Sequence, residues 1–182
     1  MLRFILAVVG STASTTIVAA SEADALKALE AFYGTCLGNG PSYDRTKAAA
    51  TLFKWKPLPP EALTMFAPQQ APDQFEGWLV TTDGYPKKTF VGVTKGRLDG
   101  RPILTCTVAI VGVDGKDVER LFVKRLAPRK VGEVNDGMQE FRVYKLTAGV
   151  QDAEQTVSVS LATPSDAEPI IVLSSMVDDS NR

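Results

Sequence analysis

The stretch KTFVGVTKGRLDGRPILTCTVAIVGV, residues 88–113, decides the fold class of this chain. Both sides of Asp99-Gly100 are rich in β-branched and apolar residues, and this dipeptide tolerates the positive φ that a tight hairpin turn requires. Apolar residues occupy every second position of the later segment: Leu104, Cys106, Val108 and Ile110. The stretch therefore predicts two antiparallel strands joined by the Asp-Gly turn.

Four further segments carry strand signals and are bounded by turn-forming residues. They are EGWLVT (76–81), MQEFRVYKLTA (138–148), EQTVSVSLAT (154–163) and EPIIVLSSMV (168–177). With the first two strands they form two groups of three, one on each side of residues 114–137. We therefore predict an antiparallel sheet of five or six strands.

Helical periodicity appears in three segments. They are SEADALKALEAFYGTC (21–36), RTKAAATLF (45–53) and KDVERLFVKRL (116–126). Ser42 is placed to cap the second of them, and Pro128 ends the third. Since the third lies between the two strand groups, the sequence predicts an α+β fold in which the N-terminal helices and this helix pack on one side of the sheet.

Residues 1–20 have the order of a secretory signal peptide. A positive charge at Arg3 precedes an apolar run, and Val18 and Ala20 fit the small-residue positions before a cut at Ser21. Cleavage after Ala23 is an alternative. A retained membrane anchor is another, although a spanning helix needs about 20 predominantly apolar residues, and five of residues 4–20 are Ser or Thr.

Residues 21–182 have a length that suits one domain, and 45% of the residues in the whole chain are hydrophobic. Residues 57–72 hold five of the eleven prolines, which predicts a loop docked on the core rather than a domain linker. Nothing after the signal peptide is long and apolar enough to span a bilayer. We therefore expect one periplasmic or secreted domain without a transmembrane span after cleavage.

Cys36 and Cys106 are the two cysteines of the chain. An exported protein meets an oxidising compartment, in which an even cysteine count favours a structural disulfide. A bridge that closes a loop of about 70 residues stabilises the fold by roughly 4 kcal/mol in the chain-entropy model. The alternative is a reactive thiol, but the chain has neither a Cys-x-x-Cys motif nor a histidine to activate one.

The composition excludes several function classes. The 20 basic and 21 acidic residues nearly cancel, so the molecule lacks the overall positive field that would attract nucleic acid. The chain contains no histidine, which excludes Ser-His and Cys-His catalytic pairs and the commonest metal ligand. Its carboxylates form no calcium-loop pattern, and its glycines form no nucleotide-binding motif. We predict no catalytic residue, metal site or cofactor.

One face of the helix at residues 116–126 is basic, because Lys116, Arg120 and Lys124 recur every four residues. Such a stripe is suited to an anionic partner: a lipid surface, a cell-wall polymer or an acidic envelope protein. The alternative is an ordinary solvated helix face, whose charge Asp117 and Glu119 dilute.

Aromatic residues concentrate around the first predicted strand. If Trp55, Trp78 and Phe90 lined a concave surface, they would form a groove for an apolar or carbohydrate ligand. The alternative is that they fill the junction between the helices and the sheet, because such side chains supply the largest buried areas.

Three short segments carry a resemblance to a group of known proteins: AFYGTC (31–36), GW (77–78) and LTCTV (104–108). Together with the signal peptide, they resemble small exported proteins of Gram-negative bacteria that carry no assigned function. The resemblance implies a periplasmic location and transfers no catalytic residue.

The function that these observations favour is a non-enzymatic periplasmic binding or accessory protein. A second hypothesis is a histidine-independent enzyme that uses two carboxylates on cell-wall glycans. A third is a structural envelope protein that associates through the basic helix.

Overall fold

The structure, a computed structural model, describes residues 14–63, 72–135, 139–148, 153–162 and 168–180. Its helices are α1 (Ser14–Phe32), α2 (Tyr43–Leu52), α3 (Pro60–Leu63) and α4 (Gly115–Leu126), and a π-helical turn (Tyr33–Leu37) follows α1 directly. The strands are β1 (Lys56–Pro57), β2 (Gln74–Leu79), β3 (Thr89–Leu98), β4 (Arg101–Val111), β5 (Arg129–Asn135), β6 (Gln139–Ala148), β7 (Ala153–Ala162) and β8 (Ile170–Asp178).

All eight strands belong to one antiparallel sheet with the order β1-β2-β3-β4-β8-β7-β6-β5. Strands β1–β4 form a meander, which we call the first half of the sheet, and β5–β8 form a second meander, the second half. The halves meet where β4 pairs with β8, and α4 connects them along the chain. The β3–β4 turn is the one predicted, since Asp99 and Gly100 both have positive φ, of 51° and 78°.

The predicted count of five or six strands is wrong, because the sheet has eight. The six predicted strands correspond to β2, β3, β4, β6, β7 and β8, and the two that were missed, β1 and β5, are the edge strands. In β5 six of the seven residues are exposed, and the register shifts between Lys130 and Gly132. A strand without a buried face has no apolar alternation, so the pattern that identifies strands is absent there.

The two faces of the sheet differ in what covers them. Residues directly opposite each other on paired strands point to the same face, so the register assigns Val93, Cys106 and Ser175 to one side. We call this the helix face, because α1, α2 and α4 all lie on it. The other side, which we call the open face, carries Thr94, Thr107 and Ser174.

Cys36 and Cys106 join the end of α1 to the third predicted strand, as expected. Their Cα atoms are 5.3 Å apart, a separation typical of disulfides, and both side chains are fully buried. The π-helical turn positions Cys36, and the Gly38 amide closes it by donating to the Tyr33 carbonyl at 2.7 Å. A Cβ on Gly38 would lie 2.8 Å from the Tyr33 ring, so a larger residue there would have to displace this exposed ring.

Side-chain caps begin two of the helices. The Ser42 hydroxyl accepts from the Arg45 amide at the start of α2, and the Asp114 carboxylate accepts from the Lys116 amide at the start of α4. The apolar stripe of α4 is buried against α1 and the sheet, with Val118 and Phe122 fully inaccessible. The cap and the stripe together fix which face of α4 is exposed.

Two sequence predictions fall partly outside the described residues. Of the predicted signal peptide, residues 1–13 lie outside them, whereas residues 14–20 are already part of α1, which begins before the predicted start at Ser21. Of the proline-rich segment 57–72, residues 64–71 lie outside. The described remainder forms part of β1 and the short helix α3.

Candidate functional site

The predicted basic stripe lies on the exposed side of α4 and lines a shallow depression of about 570 Å³. The depression combines α4 with β6, and we call it the α4 surface; it is lined by Lys116, Glu119, Arg120, Val123, Lys124 and Arg142. The structure thus brings the three predicted cations together and adds a fourth, Arg142.

A polar cluster between α4 and β6 forms the floor of the α4 surface. Glu119 is only 6% exposed, and its carboxylate accepts hydrogen bonds from the Tyr144 hydroxyl at 2.5 Å and from the Arg142 guanidinium. Arg142 also pairs with Glu140 and, at 3.4 Å, with Glu133. One guanidinium therefore holds three carboxylates, one each from α4, β5 and β6.

Register explains why Arg142 and Tyr144 reach Glu119. The two residues are one strand period apart, and they lie opposite Val159 and Val157, so both point to the helix face. The Tyr144 ring also packs edge-on against Phe122 of α4, with ring centres 5.4 Å apart. The sequence was not read as predicting this cluster. The signal for it is that Arg142 and Tyr144 alternate along one strand, on the face that carries the apolar residues of the core.

The charges of the cluster are fixed by its surroundings. Burial and the hydrogen bond to Glu119 raise the pKa of Tyr144 above its ordinary value, so the hydroxyl stays protonated. Burial alone would lower the pKa of Arg142, but its bonds to Glu140 and Glu119 raise it. The hydrogen bond from Lys130 is the main cause that lowers the pKa of Glu133. Glu133 thus stays ionised at neutral pH, which does not suit a general acid.

The cations of the α4 surface are not all neutralised. Arg120 pairs with Asp117 at 3.1 Å, and Arg142 is occupied by the carboxylates below it. Lys116 and Lys124 form no salt bridge with any residue in the described part of the chain. Within the described residues, these two are the ammonium groups of the α4 surface that have no acidic partner.

The structure does not place the three residues of the predicted groove on one surface. Trp55 and Trp78 are each 6% exposed and belong to the core, where the Trp55 indole donates to the Thr82 hydroxyl at 2.8 Å. Phe90 lies on the open face, because Val91 is the residue that pairs with Trp78 on the helix face. The sheet therefore separates Phe90 from the two tryptophans.

A second depression, of about 290 Å³, lies between the ends of α1 and α4. Leu29, Tyr33 and Leu126 supply its apolar walls, with Glu30 and Arg125 at its edge. It shares no lining residue with the α4 surface and contains no polar cluster among the described residues.

Across the described residues, no group of three or more acidic or cysteine side chains is arranged to hold a metal ion. The helices within the same residues are all too short or too polar to cross a bilayer.

Comparisons of the chain with known protein families, with curated proteins and with solved structures found no match.

Proposed function

We propose that this protein is a non-enzymatic accessory protein of the bacterial envelope that binds an acidic segment of a partner protein on the α4 surface. The observation that carries the proposal is the pair Lys116 and Lys124, which flank one depression without a salt bridge to any described residue. Val123 lines the same depression and is 41% exposed, so the surface also offers an apolar contact.

The hydrogen bonds that the carboxylates accept support binding over catalysis. A glycan-cleaving enzyme needs one carboxyl group that holds a proton at neutral pH, normally in an apolar setting without a cationic partner. Glu119 is the buried acid of the cluster, but Arg142 and Tyr144 both donate to it. An acid held in this way stabilises the fold and keeps Arg142 in place beneath the two lysines.

The shape of the surface supports a peptide over a membrane. A flat anionic bilayer contacts basic residues that project together from a convex or planar patch. Here the cations border a depression, and Asp117 lies among them. An extended acidic segment can enter such a depression and place single carboxylates near Lys116 and Lys124 while it avoids Asp117.

The binding test uses a fluorescent ten-residue glutamate peptide and measures anisotropy at low and moderate salt. We expect binding that weakens as salt rises, since screening acts over about 10 Å at 0.1 M ionic strength. Replacing both lysines, Lys116→Gln with Lys124→Gln, should weaken binding about tenfold, because each exposed ion pair contributes up to about 1 kcal/mol.

The matched control removes two other exposed lysines, Lys54→Gln with Lys87→Gln, and changes the net charge by the same amount. Equal loss of affinity in the control and the test variant would contradict a specific site. Vesicles of phosphatidylglycerol and phosphatidylethanolamine form a second arm. Salt-dependent binding to the vesicles but not to the peptide would contradict the acidic-segment proposal.

The proposal includes export with a signal peptide at residues 1–20 and a periplasmic location. The buried pair Cys36 and Cys106 supports it, since disulfides persist in oxidising compartments. Mass spectrometry of the protein from an osmotic-shock fraction should find Ser21 at the N-terminus and no thiol that alkylates without reductant. Two free thiols, or a chain that keeps residues 1–20, would contradict export by this route.

A further inference from the structure

Strand β5 forms an edge of the sheet, and no strand in the described part of the chain pairs with its outer side. Six of its seven residues are exposed, whereas β1, at the opposite edge, has only two residues. Along a strand, alternate residues direct their N–H and C=O groups to the same side. About half of the backbone groups of β5 therefore point outward, where a further strand can pair with them.

The second part of β5 has the regular geometry that such pairing needs. The register with β6 shifts between Lys130 and Gly132, and from Gly132 to Asn135 each residue has one partner on β6. A bulge bends and twists an edge and so hinders an approaching strand. The part of the edge that is open to an added strand is thus residues 132–135.

The two sides of this edge differ in chemistry. On the helix face, Glu133 pairs in register with Arg142, which lines the α4 surface, and their side chains form an ion pair at 3.4 Å. Val134 is the next residue, so it points to the open face, where it is 63% exposed beside half-buried Phe141. The edge therefore borders the α4 surface on one side and carries an exposed apolar side chain on the other.

The charges on the helix-face side favour an acidic strand. Two lysines of the α4 surface have no acidic partner among the described residues, as shown above. Glu133 is the one acid of β5, and its charge is offset by Lys130 and Arg142. An added strand alternates its side chains between the two faces, so it can direct acidic side chains toward the lysines and apolar ones toward Val134.

We propose that the acidic segment of the partner binds as an added strand along residues 132–135, with acidic residues alternating with β-branched apolar residues. This inference rests on the proposed function and specifies the conformation and the sequence pattern of its partner. The acidic side chains point to the α4 surface, and the apolar ones pack beside Val134. As in other complexes formed by strand addition, main-chain hydrogen bonds supply affinity and the alternating side chains supply specificity.

A second copy of this chain suits the same edge less well. The α4 surface lies on the helix face beside β5, so two copies joined through β5 would bring two basic surfaces to the same side of one continuous sheet. Like charges there repel each other, whereas an acidic segment meets the lysines with opposite charge. Charge therefore favours the acidic segment over a second copy.

The test uses the protein expressed from its full sequence and purified as the host cell processes it. Fluorescence anisotropy at low salt measures the binding of a ten-residue peptide of alternating valine and glutamate. Two further peptides carry N-methyl groups, one on every glutamate and the other on every valine. In a strand, the N–H groups of one set point to β5 and those of the other set point away.

We therefore expect one methylated peptide to bind at least tenfold more weakly than the parent peptide, because several hydrogen bonds to β5 are lost, and the other to bind within about threefold of it. Methylated peptides that bind alike, whether both tightly or both weakly, overturn the added strand. If they bind alike while Lys116→Gln with Lys124→Gln still weakens binding of the glutamate peptide, the proposed function stands and only this inference fails.

Variants of β5 locate the contact. Val134→Ser should weaken binding of the alternating peptide about threefold, since it removes apolar contact from an exposed position. Val131→Ser, at a 43% exposed position within the register shift, is the matched control and should leave the affinity unchanged. Equal effects of the two variants contradict the placement on residues 132–135. Sedimentation equilibrium without peptide checks the other occupant: a dimer that the peptide dissociates would assign the edge to a second copy and overturn the inference.

Discussion

The two halves of the sheet have the same number of strands but are attached to their helices by different means. In the first half, a covalent bond between Cys36 and Cys106 holds the end of α1 on β4. In the second half, a buried carboxylate on α4 is held by Arg142 and Tyr144 of β6. A disulfide acts mainly by restricting the unfolded chain, whereas the polar cluster depends on every one of its partners being present.

A buried glutamine of the second half reaches the segment that carries the covalent attachment. The Gln155 amide of β7 donates to the carbonyls of Leu37 and Ala148, each at 3.0 Å, and accepts from the Ser175 hydroxyl. Leu37 follows Cys36 directly, and Ser175 pairs in register with Cys106. Strand β7 of the second half is therefore hydrogen-bonded to the residue next to the disulfide.

The largest expected effect comes from removing the covalent attachment. Replacing Cys36→Ser together with Cys106→Ser should lower the free energy of unfolding by about 4 kcal/mol, because the unfolded chain regains the freedom of a long loop. Urea unfolding followed by tryptophan fluorescence measures it. Wild-type protein in reductant serves as the control and should lose a similar amount. Equal midpoints for oxidised and reduced protein would show that the bond does not stabilise the fold.

The next largest effect should come from the polar attachment of the second half. Glu119→Ala leaves the Tyr144 hydroxyl and part of the Arg142 guanidinium without their buried acceptor, which should cost about 3 kcal/mol in the same urea assay. Asp117→Ala, which removes a half-buried acid from the first turn of the same helix, should cost less than about 1 kcal/mol. Similar losses for both variants would mean that burial of the cluster adds nothing to the free energy of unfolding.

The smallest effect concerns a more exposed ion pair on the first half. Glu76 accepts from Lys47 at 2.6 Å and from Tyr43 at 2.8 Å. Burial alone would raise the pKa of Glu76, but these two bonds lower it below its ordinary value of 4.5. Its contribution to stability is thus present above pH 4.5 and is lost as the pH falls through the lower, folded-state pKa.

Glu76→Gln should therefore be less stable than wild type by under about 1 kcal/mol at pH 7, since the pair is partly solvated. The difference should disappear as the pH falls through the lowered pKa of Glu76 in urea titrations at successive pH values. The Glu168→Gln variant, which alters a fully exposed ion pair with Lys88, is the comparison. A stability difference that persists unchanged in acid would contradict the lowered pKa of Glu76.

The part of the candidate site that lies on α4 alone was predictable from the sequence. The part that depends on contact between α4 and β6 was not. Helical spacing alone places Lys116, Arg120 and Lys124 on one face of α4. Arg142 joins them only because β6 pairs with β7 in a register that turns it toward α4. Glu119 appears in the sequence as a residue that dilutes the basic charge, whereas in the fold it anchors the cluster.

The sequence by itself determined the six inner strands, the Asp99-Gly100 hairpin, the Ser42 cap of α2 and the cysteine pairing. Each depends on local periodicity, on turn chemistry or, for the cysteines, on the chain having two of them. Only the tertiary structure decided the edge strands, the pairing of β4 with β8 and the open face. Those features depend on contacts between residues far apart in the chain, and an exposed edge strand leaves no periodic pattern in the sequence.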